Sequence, residues 1–409
     1  MSVCRASLQN RKTKNWVHAF YKLLEGLIPM VFVLRYGQTT LYFGVNGLEK
    51  AKNFLAGREK VVIVTGKTSA KVSGALGDVE KVLKEFGVSY VIYDNISPNP
   101  WASQVEELAK IIWSEGADAV IAIGGGSPID AAKVASVIAV SGGTVKDYVR
   151  GRKPKRSVPL MAINLTHGTG TEIDRYAVVT LDEEREKHGL SVKYPDVSID
   201  DPRYTLTLDR RQTVYTSLDA FYHAYESATS TVRNLFIESM AREAVRHIAE
   251  ALPRAVNDLR NVDLRERLLY SSMIAGIAID AGSTHLNHAI EHALSGLQPK
   301  LAHGCGLALL GPRLVYYTHK AVPEASASII RIIDPTVKPV ADDAEKAQKA
   351  VERFQKEVGF EERLSDYGFT EKDINTVVEY TMKRLGYLYS ATPFTVTEEI
   401  IRDIVRSAL

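Results

Sequence analysis

The feature that most constrains this fold is a change of periodicity near Pro202. Before it, short apolar runs alternate with segments of helical spacing. Glu59–Thr65 (EKVVIVT), Ser89–Tyr93, Ala119–Ile123 and Val158–Ile163 read as strands, and Val197–Asp201 leads to Pro202. The apolar runs among them lack in/out alternation, the pattern of strands buried on both faces. Val79–Phe86 and Asn99–Glu115 read as intervening helices, the second entered through Pro98 and Pro100. Strand–helix–strand alternation at this spacing predicts a parallel, doubly wound α/β sheet. Residues 31–45 add a hairpin or paired strands around Gly37-Gln38, and Val178–Val192 is a further stretch carrying Lys187. After Pro202 the remaining segments are helical in period, from Gln212–Thr231 through Thr397–Ala408. The expected organisation is an N-terminal helical extension over 1–30, an α/β domain over 31–201 and an all-helical domain over 202–409.

Charge and cysteine usage narrow the partners. The net charge is +2, so no bulk electrostatic case exists for nucleic acid or an anionic membrane. The basic run Arg152–Arg156 is expected to be a solvated loop. Two cysteines, Cys4 and Cys305, make no disulfide framework and fit a reducing cytoplasm. Trp16–Val33 places Trp16, Phe20, Leu23, Leu24 and Leu27 at helical spacing. It is read as an amphipathic helix and not as a signal peptide or membrane span. That helix suggests a contact between copies, hence a homodimer or larger assembly.

Two loops and one histidine-rich stretch carry the chemistry. The third strand runs into Gly124-Gly125-Gly126-Ser127-Pro128-Ile129-Asp130, whose glycines expose backbone N–H groups at a helix start. Ser127 is expected as N-cap, with Pro128 at the first helical position and Asp130 at capping-box spacing. This is a phosphate-binding design without the GxGxxG or P-loop wording. Asn164–Glu172 forms a second Gly/Thr loop containing Thr166, His167 and Thr169. Ser283–Leu309 then holds four of the chain's ten histidines. His285, His288 and His292 fall at spacings of three and four and would share one helical face, with His303 following after a loop. Upstream, Asp219 and His223 lie four apart. Converging imidazoles and a carboxylate point to a divalent metal.

The order GGGSPIDAAK, GTGxE, DAxxH, HAIEH and a final HG resembles the iron-containing (group III) alcohol dehydrogenases, over most of the chain from about Tyr42. The resemblance implies that the α/β domain binds a dinucleotide, that the helical domain binds metal, and that the active site lies in the cleft between them. It implies Asp219, His223, His288 and His303 as ligands of Fe²⁺ or Zn²⁺. It implies His292 beside the nicotinamide as a catalytic proton relay, Gly124–Ser127 on the pyrophosphate with Asp130 in the same motif, Thr166 and Thr169 on the cofactor, and Lys187 on its ribose. Glu172 and Arg175 also match, and a structural ion pair is the role expected of them. His167 replaces a small residue and is read as facing either water or the cofactor. One extra residue before His288, and one between it and His303, keep His285 as a substitute ligand.

The first long strand ends in Gly66-Lys67-Thr68-Ser69. Gly66 offers no carboxylate to a ribose 2′-hydroxyl, and the next three residues offer a charge and hydroxyls to a 2′-phosphate. NADP(H) is therefore expected over NAD(H). The expected activity is hydride transfer between this cofactor and a small primary alcohol or aldehyde. Competing readings are a hydroxyacid–oxoacid transhydrogenase, favoured by the THLNH wording, a glycerol (phosphate) dehydrogenase of the same fold, and a non-enzyme with a structural metal.

Overall fold

The computed structural model describes residues 31–409. The expected N-terminal helix therefore lies outside the described residues up to position 30. Seven strands form one sheet in the order β1-β2-β9-β6-β5-β3-β4. They are β1 (Phe32–Tyr36), β2 (Thr39–Phe43), β3 (Lys60–Thr65), β4 (Ser89–Tyr93), β5 (Ala119–Gly124), β6 (Leu160–Asn164) and β9 (Val197–Asp200). Only β1 and β2 pair antiparallel, as the expected hairpin; every other pairing in this sheet is parallel.

Side-chain alternation divides each central strand between two cores. Val62, Val64, Val120, Ala122, Leu160 and Ala162 pack with helices Ala102–Ser114 and Gly126–Ser141. Val61, Ile63, Ile121, Ile123, Met161 and Ile163 pack with helix Ala75–Phe86 on the other face. This two-sided burial is why those strands read as unbroken apolar runs. The register sets Thr65 beside Ile123 and Gly124 beside Asn164. The loops that follow β3, β5 and β6 thus leave from one edge of the sheet, where open α/β sheets bind ligands.

The sequence expectation treated Val178–Val192 as a single stretch. It folds instead as a separate antiparallel ribbon of β7 (Tyr176–Thr180) and β8 (Lys187–Ser191). Tyr380 and Tyr387 accept β8 backbone N–H groups from Lys187 and Gly189, both at 3.1 Å, tying the ribbon to the helical half. A second tie is the Arg175–Asp280 ion pair at 3.1 Å. Tyr36 and Tyr194 donate to the same Asp280 carboxylate.

From Arg210 onward the described elements are helical. Helix Arg210–Thr229 is buried almost all round and forms the centre of this half. Leu235–Ala255, Val262–Ala281 and His303–Ala321 pack against it. The side chains of Asp209, Asn234 and Asn261 accept N–H groups at the first turns of Arg210–Thr229, Leu235–Ala255 and Val262–Ala281. One helix start differs from expectation. The histidine-rich helix runs Leu286–Leu297, so His285 precedes it instead of sharing its face. The cause is a distant cap: Glu226 Oε1 accepts the N–H groups of His285 and Asn287, each at 3.0 Å. Among the described residues no helix is long and apolar enough to cross a membrane.

Candidate metal centre and cofactor cleft

Asp219 and His223 project from one helical turn of Arg210–Thr229, His288 from Leu286–Leu297 and His303 from the first position of His303–Ala321. One ligand-type atom of each lies within 4.8 Å of the others. Asp219 Oδ1 is 3.6 Å from His223 Nε2 and 3.8 Å from His303 Nε2. The rings of His223 and His288 stack with centroids 4.7 Å apart. Asp219, His223 and His288 are buried, and His303 is partly open to the cleft.

Each imidazole has its other nitrogen committed. Nδ1 of His223 lies 3.3 Å from the Gly168 carbonyl. Nδ1 of His288 contacts Glu226 Oε2, and Nδ1 of His303 contacts Glu291 Oε2. Donation from Nδ1 leaves the Nε2 lone pair free for a cation, the arrangement of carboxylate–histidine–metal sites. Asp219 Oδ1 and His288 Nε2 are buried with no hydrogen-bond partner. Such orphans are costly unless something else satisfies them. Burial pushes the Asp219 carboxyl well above its ordinary range, with Glu291 adding to the effect. It holds the imidazoles of His223 and His303 well below theirs and His288 down to about 3. Neutral imidazoles and one carboxylate suit a divalent ion, so these residues fit the expected metal.

A cleft of about 430 Å³ connects this centre to the glycine loop. His223, His288, His292 and His303 line one part; Gly126, Ser127, Asp130 and Thr169 line another. A larger cavity of about 740 Å³, lined in part by Lys50, Lys81 and Arg203, contains none of the clustered ligands. Gly125 and Gly126 are glycine for a steric reason. A Cβ there would come within 2.7 Å of Thr166 Cγ2 and 2.9 Å of Thr169 Cγ2 respectively. The two loops expected to hold the cofactor therefore back directly onto one another.

Several expectations need correction. The N-cap of helix Gly126–Ser141 is Gly125, not Ser127. Asp130 closes no capping box; its carboxylate accepts Thr171 Oγ1 at 2.6 Å and Val178 N at 2.9 Å. The cause is the adjoining loop, which passes close enough to capture it. His285 is no substitute ligand, because its Nε2 pairs with Thr229 Oγ1 at 3.0 Å on the far side of Glu226. His167 is fully buried and faces neither water nor cleft. Arg265 donates to its Nε2 at 3.0 Å, so Nδ1 carries the proton towards Thr216 and Ser217. Burial and that guanidinium lower its pKa to about 3. Arg175 forms an ion pair with Asp280 and not with Glu172. Glu172 faces Asp200 instead; burial raises both carboxyls, Asp200 to about 7. Lys187 lines the cleft, and its ammonium is already engaged there. It donates to Ser295 Oγ at 3.1 Å and pairs with Glu291 at 3.3 Å. Lys67 pairs with Asp94 at 3.2 Å on the surface, and Gly66 has room for a side chain.

The sequence reading missed Glu226 and Glu291. Each lies three residues after a histidine, Glu226 after His223 and Glu291 after His288, but its partner imidazole comes from another helix. His292 is buried beside His303, ring centroids 5.6 Å apart, with Nδ1 unpartnered. It stands outside the four-ligand set.

Comparison with known proteins decides the family. Residues 38–202 match the iron-containing alcohol dehydrogenases, and residues 213–409 match the C-terminal domain of the same family. This chain belongs to the iron-containing alcohol dehydrogenase family. Among its relatives, the long-chain primary alcohol dehydrogenase AdhA of Thermoanaerobacter ethanolicus is 42% identical over 91% of this chain and 96% of its own length. The 1,3-propanediol dehydrogenase of Klebsiella pneumoniae is 30% identical over 95% and 99%. An archaeal alcohol dehydrogenase from a Red Sea brine pool has a similar structure, with TM-score 0.84 and 29% identity over 93% of this chain and 98% of that one. The fold expectation, a parallel-rich sheet domain followed by a helical domain, is thus the iron-containing alcohol dehydrogenase fold.

Proposed function

We propose that this chain is an NADP(H)-preferring alcohol dehydrogenase and aldehyde reductase that acts on primary alcohols with a bound Fe²⁺ or Zn²⁺. The observation that carries this is the convergence of Asp219 with His223, His288 and His303, three histidines that line the cleft also containing Gly126 and Ser127. When bound, the ion supplies Lewis acidity towards the alcohol oxygen and the nicotinamide gives or takes hydride.

The chain's own residues do the rest. Asp219 and three Nε2 atoms hold the ion, and Gly168, Glu226 and Glu291 fix the rings that carry them. Backbone N–H groups of Gly124–Ser127 face the start of a helix and suit the pyrophosphate, with Thr166 and Thr169 at their backs. Ile279, Tyr387 and Leu388 give the cleft apolar wall. The name of the Thermoanaerobacter relative supports an alcohol with an apolar chain.

His292 holds and passes the hydroxyl proton. His292→Ala is expected to slow turnover by about 10²-fold or more, the usual contribution of a positioned proton-transfer group, while bound metal stays at one ion per chain. Loss of the metal would make His292 a ligand instead.

The NADP(H) preference rests on Gly66 and Lys67. The Lys67–Asp94 pair is exposed and worth little, so Lys67 is free to turn to a 2′-phosphate. A charge-assisted hydrogen bond of ~1.5–3 kcal/mol converts to roughly tenfold or more in affinity. Lys67→Ala is therefore expected to raise KM for NADPH about tenfold and leave KM for NADH unchanged. Equal effects on both would remove the role given to Lys67. Assembly as a dimer or larger is part of the proposal and rests on the apolar Trp16–Val33 sequence alone.

A further inference from the structure

The charged groups that face Asp219 are Glu291, Glu226 and Lys187. Glu226 accepts two backbone N–H groups and sits on His288 Nδ1; Glu291 sits on His303 Nδ1. Both are carboxylate acceptors in the shell just outside the ligands. Lys187 is buried, with its Nζ 3.3 Å from Glu291 Oε2, 3.1 Å from Ser295 Oγ and 3.4 Å from His303 Nδ1. With all three ionised, Asp219, Glu226 and Glu291 against the Lys187 ammonium carry a formal charge of −2, the match for one divalent ion.

A second observation concerns place. Glu291, His292 and His303 form another set of ligand-type atoms within 4.8 Å of one another. Glu291 Oε1 and His292 Nδ1 in that set are buried without hydrogen-bond partners. The Lys187 ammonium lies against two of the three side chains, Glu291 and His303. It stands where a second cation would otherwise stand.

We propose that Lys187 is a positioning residue that serves as the built-in counter-cation of the metal centre, fixing the charge of the pocket at that of a single divalent ion. Neutralised by Lys187, Glu291 orients His303 without adding an unbalanced charge. This inference rests on the four-ligand metal site proposed above.

The test is equilibrium Zn²⁺ affinity of the full chain, measured by competition with a chromophoric chelator. Glu291→Gln keeps an oxygen to accept from His303 Nδ1 but leaves the Lys187 charge unopposed. It is expected to weaken Zn²⁺ binding about 10–100-fold, the usual effect of disturbing a ligand's partner. Lys187→Met is expected to bind at least as tightly as the parent. The double variant Lys187→Met/Glu291→Gln restores the charge balance and is expected to recover to within about threefold of the parent, a coupling that a double-mutant cycle isolates. The double variant decides the matter even if Lys187→Met alone folds poorly. Affinity no better than that of Glu291→Gln would make Lys187 a geometric prop and overturn the proposal. A parent chain that binds no Zn²⁺ would overturn the metal site itself.

Discussion

Asp219→Ala protein is expected to fold and yet to lose its metal. Removing a partner just outside the ligands already costs about 10–100-fold in metal affinity. Asp219 is the one anionic member of the proposed ligand set, so its loss should exceed that range, and turnover should fall with it. Folding should survive for a specific reason. Without an ion, Asp219 Oδ1 is a buried acceptor with no partner, and burial holds the carboxyl far from its ordinary range. Alanine removes that unsatisfied group. The metal-free variant should therefore be at least as resistant to denaturant as the metal-free parent. Bound metal after gel filtration against a chelator, together with a urea titration, checks both halves. A metal-free variant that unfolds much earlier than the metal-free parent would make Asp219 a structural residue.

The second large effect is expected far from the metal in stability, at the lysine that ends the GGGSPIDAAK motif. Lys133 is fully buried and donates to Thr171 Oγ1 at 2.7 Å, Asp174 Oδ1 at 2.9 Å and the Tyr176 carbonyl at 2.7 Å. It clamps helix Gly126–Ser141 to the loop leading into β7. Lys133→Met keeps much of the volume but strands Asp174 without its cation. Breaking a buried pair in this way costs roughly 3–5 kcal/mol. The effect has a pH signature. Burial already raises Asp174 to about 7. A raised carboxyl contributes stability below its unfolded value, near 4, and loses it as pH climbs through 7. Without Lys133 the raise grows, so the deficit of the variant should widen between pH 5 and pH 8. Denaturation midpoints at those two pH values check this, and a deficit independent of pH would contradict the role of the Lys133–Asp174 pair.

How much of this was legible depended on whether the signal was local. Asp219 and His223 announce themselves by spacing on one helix, and the strands of the sheet by their unbroken apolar runs. Glu226 and Glu291 do not, because an acid three residues from a histidine is common on any helix and the partners here come from different helices. His285 looked like a helix residue because the cap that displaces it comes from Glu226, some sixty positions upstream. The β7–β8 ribbon was hidden by its turn. Arg185 takes a left-handed conformation there, φ 53°, a position usually marked by glycine or asparagine. The surrounding run Asp182–Glu186 is charged and offers no such mark. His167 and Arg265 meet across 98 positions, which no local pattern reveals.

The central claim is that a divalent ion on Asp219, His223, His288 and His303 is required for hydride transfer in this cleft. The most direct measurement strips the protein of metal, reloads it with Fe²⁺ or Zn²⁺, and follows NADPH and NADH oxidation with butanal. The account predicts turnover that is absent in the stripped protein, returns with metal, and is faster with NADPH. Turnover that persists without metal would contradict the central claim; metal-dependent turnover favouring NADH would contradict only the role given to Gly66 and Lys67.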